Sequence, residues 1–165
     1  MIANEAHLHL VLNHFPILGA IFAIPLLAYG FFRKNTSLER AGLLFLLFVG
    51  IVSVQTYLSG ESAEDIVEKL RGVSEVYIEK HEEIASVAVA VALVTSLVSL
   101  IALFLSLKNS PLRRAFTGIA LLLAFLTSGV MVLTANYGGK IRHSEIRDGV
   151  QLQKTPYEDE REYDD

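Results

Sequence analysis

Four long stretches of this sequence carry no Lys, Arg, Asp or Glu: Leu8 to Phe32, Ala41 to Leu58, Ile84 to Leu107 and Ala115 to Ala135. A helix rises about 1.5 Å per residue and the hydrocarbon core of a bilayer is about 30 Å thick, so about 20 apolar residues are needed to cross it. All four stretches reach or nearly reach that length, and the second is expected to extend through Ser59 to a turn at Gly60. Hydrocarbon offers no partner to a free backbone N–H or C=O, so such a stretch must close its hydrogen bonds internally, as a helix. A mean hydropathy of +0.45 and a hydrophobic content of 52% are too high for an ordinary soluble domain. The sequence therefore predicts an all-α fold: an integral membrane up-down four-helix bundle with spans at 8–32, 41–59, 84–107 and 115–135.

The charges lie between the apolar stretches and give the bundle a direction. The first connection holds Arg33, Lys34 and Arg40 against Glu39, and the third holds Lys108, Arg113 and Arg114 with no acid. Short basic loops favour the cytoplasm. The first apolar stretch is preceded by Glu5 and by no Lys or Arg, whereas an export signal starts basic, so it reads as a retained helix. Both termini are expected on the periplasmic or extracellular side of a bacterial or archaeal inner membrane.

That side also holds the second connection, whose eight acids (Glu61, Glu64, Asp65, Glu68, Glu75, Glu79, Glu82, Glu83) face only Lys69, Arg71 and Lys80. Ser62 can cap a short amphipathic helix there, with Ile66, Val67 and Leu70 as its apolar stripe. Gly72 would end it, and Ser74 would cap a helix running from Glu75 through the third span. Gly138 and Gly139 read as a turn after the fourth. The transmembrane domain is placed at 1–146. Residues 147–165 are expected to form a disordered acidic tail, with six acids between Glu158 and Asp165. No internal repeat is evident.

There is no cysteine, which removes disulfides, iron–sulfur clusters, zinc ribbons and covalent haem attachment together. A net charge of −4 with clustered acids leaves no nucleic-acid footprint. His81-Glu82-Glu83 lacks the second histidine of a zinc hydrolase, and no nucleophile elbow, Walker loop or dinucleotide fingerprint occurs.

The five histidines carry the chemistry. His7, His9 and His14 lie at the outer end of the first span, His81 enters the third, and His143 follows the fourth, so all five gather at one face. His14 sits inside an apolar stretch beside Asn13, and a polar side chain there is expensive unless it faces the interior. Pro16 frees the carbonyl of Leu12 and lets the helix bend. His81 shares a stripe with Ile84, Ala85 and Ala88. The first and third spans lie diagonally in an up-down bundle. Histidines on them can approach one axial position from opposite sides, which is what bis-histidine haem requires. The expected ligands are His14 and His81 for an inner haem, and His7 or His9 with His143 for an outer one. Lys140, Arg142 and Arg147 stand near enough to serve propionates. The same histidines could instead capture copper or zinc, or lock helices by hydrogen bonds to Gln55, Ser62 or a carbonyl.

The chain resembles a family of small bacterial membrane proteins of unknown function with a His-Phe-Pro motif in the first helix. That motif is His14-Phe15-Pro16 here. Gly60-Glu61-Ser62-Ala63, His81-Glu82, and Gly138-Gly139-Lys140-Ile141-Arg142-His143 match further short motifs of the family in order, and His7-Leu8-His9-Leu10 matches the opening of related small proteins. The resemblance covers Ala6 to about Ile146 and implies the four-helix architecture, with no activity attached. The resulting expectation is a membrane b-type cytochrome or electron-transfer subunit carrying one or two haems. Its partners would be the lipid bilayer, quinol, and a periplasmic cytochrome or a larger respiratory-type complex, with a metal-binding or structural membrane subunit as the alternative.

Overall fold

The computed structural model describes residues 4–147 and 149. The expectation of a disordered tail at 147–165 lies, apart from Arg147 and Gly149, outside the described residues. Among the described residues there are five helices, α1 Glu5–Leu12, α2 His14–Arg33, α3 Thr36–Val67, α4 Glu75–Leu107 and α5 Arg113–Arg142, followed by a 3-10 turn at Ser144–Ile146. α1 and α2 form one span broken at Asn13, three residues before Pro16, where the missing backbone donor was expected to bend the chain.

Among the described residues four helical stretches are long and apolar enough to cross a membrane: Glu5–Arg33, Thr36–Val67, Glu75–Leu107 and Arg113–Arg142. Only 28–39% of each apolar window is buried, so most of its surface faces outward. What faces outward is large and apolar, including Phe22, Phe45, Leu97, Phe104, Leu122 and Phe125. The interior combines Leu27, Leu43, Leu46 and Val49 with many small residues: Ala20, Ala23, Ala88, Ala92, Ala102, Ala120 and Ala124. A water-soluble domain sorts its residues the other way. Small residues inside let helix backbones approach, and apolar side chains outside suit association with a lipid bilayer.

α2 packs on α3 and α5, α3 on α4, and α4 on α5, while α2 and α4 do not meet and α3 barely meets α5. At one end Arg40 donates to the Ser106 carbonyl (2.9 Å), Arg113 to Thr36 Oγ1 (2.9 Å) and Arg114 to the Phe31 carbonyl (3.2 Å). These bonds bring both basic connections to one end. Glu39 lies there 1% exposed, 3.8 Å from Arg113 and 3.7 Å from Arg114. Hydroxyls fill the middle: Thr95 and Thr127 meet at 2.8 Å, and each also lies 2.8 Å from the carbonyl four residues back. Two hydroxyl protons thus serve three contacts.

Two expected turns do not form. α3 runs unbroken through Gly60 and Ser62 to Val67, so the separate amphipathic helix expected from Ser62 is the last turn of α3. Gly138 and Gly139 lie inside α5, which continues to Arg142. Glycine costs a helix about 1 kcal/mol relative to alanine. At Gly60 and Gly138 that cost makes room for histidine rings.

Candidate functional site

His9 projects from α1 toward the far end of α3. Its Nδ1 lies 3.1 Å from the Thr56 carbonyl and 3.1 Å from Ser59 Oγ. The Ser59 hydroxyl donates to the Thr56 carbonyl at 2.8 Å, so its oxygen is left to accept from His9. His81 makes the corresponding contact from α4 to α5, with Nδ1 2.9 Å from the Thr134 carbonyl. A carbonyl only accepts, so both imidazoles carry a proton on Nδ1, and in the neutral ring Nε2 is then a bare lone pair. That tautomer, fixed by a backbone carbonyl, is the usual state of a metal-ligating histidine. The two rings meet edge-on, with centroids 6.3 Å apart and planes at 88°.

A glycine flanks each ring. A Cβ at Gly60 would lie 3.4 Å from His9 Cε1, and one at Gly138 only 3.0 Å from His81 Cε1 and 3.1 Å from its Nδ1. The acceptor carbonyls belong to Thr56 and Thr134, four residues before these glycines. Each threonine hydroxyl in turn donates to a valine carbonyl a further four residues back, Val52 and Val130.

The same set of contacts has therefore been built twice. His81 follows His9 by 72 positions, while Val130, Thr134 and Gly138 follow Val52, Thr56 and Gly60 by 78. These shifts are set by the histidine contacts alone, and most of the burial obeys them; Gly19, Ala63, Ile78 and Ser106 are buried without a buried counterpart. The buried positions Glu39, Gly42, Leu43, Leu46, Val49, Gly50 and Ser53 of α3 map by 78 onto Thr117, Ala120, Leu121, Ala124, Thr127, Ser128 and Met131, which are all the buried positions of α5. Pro16, Ala20, Ala23, Leu27 and Gly30 of α2 map by 72 onto Ala88, Ala92, Thr95, Ser99 and Ala102 of α4, again all buried. The fold is thus a repeat of two helical hairpins, α1–α3 and α4–α5, with one histidine of the pair from each. Sequence reading finds no repeat because burial recurs while residue identity does not.

The other expected site residues lie apart from this pair. His14 is exposed on the apolar outer surface, its Nδ1 2.9 Å from the Leu10 carbonyl one turn back in its own helix. The structure therefore faces His9, not His14, toward His81. His7 is exposed in the first turn of α1. His143 is exposed beyond α5 and pairs with Glu145 at 2.8 Å. The Glu145 carboxyl is held below its ordinary range, first by its own backbone N–H and then by His143. Arg142 donates to the Arg71 carbonyl at 3.0 Å. Arg147 donates to the carbonyls of Lys140 (2.8 Å), Ile141 (2.7 Å) and Gly72 (3.0 Å). These arginines fasten the 68–74 connection to the end of α5. Lys140 lies over the rings of Tyr77 and Tyr137 at 5.7 and 5.6 Å.

Comparison with protein families, with curated proteins and with solved structures finds nothing that matches this chain.

Proposed function

We propose that the chain crosses a bilayer four times as an up-down bundle and binds one b-type haem between His9 and His81, serving as an electron-transfer subunit. The observation that carries this reading is the His9–His81 pair: two imidazoles from facing helices, each with Nδ1–H on a backbone carbonyl and Nε2 free, 6.3 Å between centroids. A transition metal held by an imidazole nitrogen lies about 2.0–2.1 Å from it, so two rings on opposite sides of one ion have centres about 6 Å apart, and rings at a tetrahedral angle about 5 Å. A centroid separation of 6.3 Å would leave room for one ion between the two imidazoles.

The donor set points the same way. Haem iron brings four ring nitrogens of its own, so two histidines complete its coordination. A bare copper or zinc ion needs three or four protein ligands, and no cluster of three His, Asp or Glu is placed to hold one among the described residues. Gly60 on α3 and Gly138 on α5 set bare backbone against the two imidazoles that would hold the haem. His7, His14 and His143 are not brought together, which supports one haem rather than two.

Bound haem supplies reversible one-electron exchange. The chain's part is to hold two neutral imidazoles in place in a low-dielectric interior, where the backbone carbonyls raise their basicity as ligands. The basic connections lie at the opposite end, so the histidine end takes the periplasmic or extracellular side. Pyridine extraction of protein produced with ample haem tests the stoichiometry. One haem per chain, reducible by dithionite, is expected; two per chain, or none, would overturn the reading.

A further inference from the structure

The two hairpins share the carbonyl and the glycine that meet each histidine of the pair, and they differ at the turn that follows the histidine. Asn13-His14-Phe15-Pro16 of the first corresponds, 72 positions on, to Ala85-Ser86-Val87-Ala88 of the second. His14 is exposed, and its neighbours on that surface are Leu10, Val11, Phe15 and Leu18, themselves 47–61% exposed. It lies five residues beyond His9, about 7.5 Å further along the helix and inside the apolar stretch. Its proton is fixed on Nδ1 by the Leu10 carbonyl, which leaves Nε2 as an acceptor. Hydrocarbon holds no water to satisfy that acceptor, and a polar group facing lipid is costly without a partner. At the same break in the helix, Asn13 Oδ1 is buried without a hydrogen-bond partner. Two acceptors thus occupy adjacent residues, where the second hairpin has Ala85 and the hydroxyl of Ser86, which donates to the Glu83 carbonyl.

A ligand for this turn must arrive through the bilayer, be apolar over most of its body, and bring a hydrogen-bond donor to a neutral imidazole. We propose that the Asn13–Pro16 turn binds the headgroup of a lipid-soluble quinol, with a ring hydroxyl donating to His14 Nε2 and the Phe15 ring beside it. The oxidised quinone carries carbonyls in place of hydroxyls and has no proton to donate, so the turn discriminates in favour of the reduced form. The proposal rests on the bilayer placement of the helices and is independent of haem.

The test uses the full chain in detergent micelles, with its histidine rings labelled with nitrogen-15, titrated anaerobically with a short-chain benzoquinol. The expected result is a saturable shift of the His14 Nε2 signal alone, with the matching quinone about tenfold weaker, as loss of one hydrogen bond implies. His14→Ser, which copies the residue of the second hairpin, should preserve the fold and remove saturable quinol uptake into protein-containing micelles. The proposal is overturned by no saturable shift at His14, by equal response to the quinone, or by like shifts at His7 and His143. Uptake unchanged in H14S would overturn it as well, and would leave a neighbouring membrane helix as the partner of this turn.

Discussion

Gly60 and Gly138 occupy the same place in two successive helical hairpins, and each lies bare against the ring of a histidine, Gly60 against His9 of α1 and Gly138 against His81 of α4. The correspondence extends to the carbonyl that each imidazole uses, from Thr56 and Thr134. A site divided between two repeats in this way is complete only when both hairpins are docked, so its geometry reports on the packing of α3 against α4 and α2 against α5.

The two glycines differ in how closely they meet their rings, and that difference is testable. A methyl at Gly138 would stand 3.0 Å from His81 Cε1, closer than carbon atoms normally pack, whereas one at Gly60 would stand at an ordinary 3.4 Å from His9. Gly138→Ala is expected to displace His81 and to cut haem retained through purification severalfold. Gly60→Ala should retain most of it. Haem-to-protein absorbance ratios of the two variants decide the point, and equal retention would contradict the geometry.

Burial of Glu39 between Arg113 and Arg114 predicts a stability effect at the opposite end. Both carboxylate oxygens and Arg114 Nη1 lack hydrogen-bond partners, so the three groups depend on charge at 3.7–3.8 Å. The arginines are 25% and 39% exposed, and water shares in solvating them. Glu39→Leu is expected to cost about 1–3 kcal/mol, well below the loss for a fully buried pair. Thermal unfolding in detergent should show a Tm several degrees lower, with haem content per folded chain unchanged.

Arg147 should govern the 68–74 connection. It donates to Gly72 on one side and to Lys140 and Ile141 on the other. Arg147→Ala removes these bonds while leaving the helices intact. Limited trypsin digestion at Lys69 and Arg71 is expected to quicken severalfold; an unchanged rate would mean that Arg142 and the Ser74 N–H, which bonds the Ile141 carbonyl, hold the segment without it.

The hydroxyl contact between α4 and α5 gives a smaller effect. Thr95 and Thr127 meet at 2.8 Å, but each also has a carbonyl of its own helix to bond. A double-mutant cycle with Thr95→Val and Thr127→Val should return a coupling of about 0.6 kcal/mol, typical of hydrogen bonds between membrane helices. A coupling near zero would mean that the intrahelical bonds satisfy both hydroxyls.

The spans were legible in the sequence because charge exclusion over 20 residues is a constraint that few other structures impose. Their ends were not: Gly60 and Gly138 have the composition of turns, and only the rings packed against them explain why helices continue through. His14 was expected inside on the strength of its apolar surroundings. The small residues Gly19, Ala20, Ala23 and Gly30 mark the packed face of α2, and Pro16 lies on it. His9 is seven residues before Pro16 and shares that face, whereas His14 is two before it and points away. That spacing was present in the sequence, and it distinguishes the two histidines once the small residues are taken to define the interior.

The pairing of His9 with His81 is tested most directly by reduced-minus-oxidised visible spectra of single-histidine variants produced with ample haem. Sharp reduced bands are expected in the wild type and in His7→Ala, His14→Ser and His143→Ala, and their loss in both His9→Ala and His81→Ala. Bands that survive in His9→Ala but vanish in His14→Ser, or a featureless wild-type spectrum, would contradict the account.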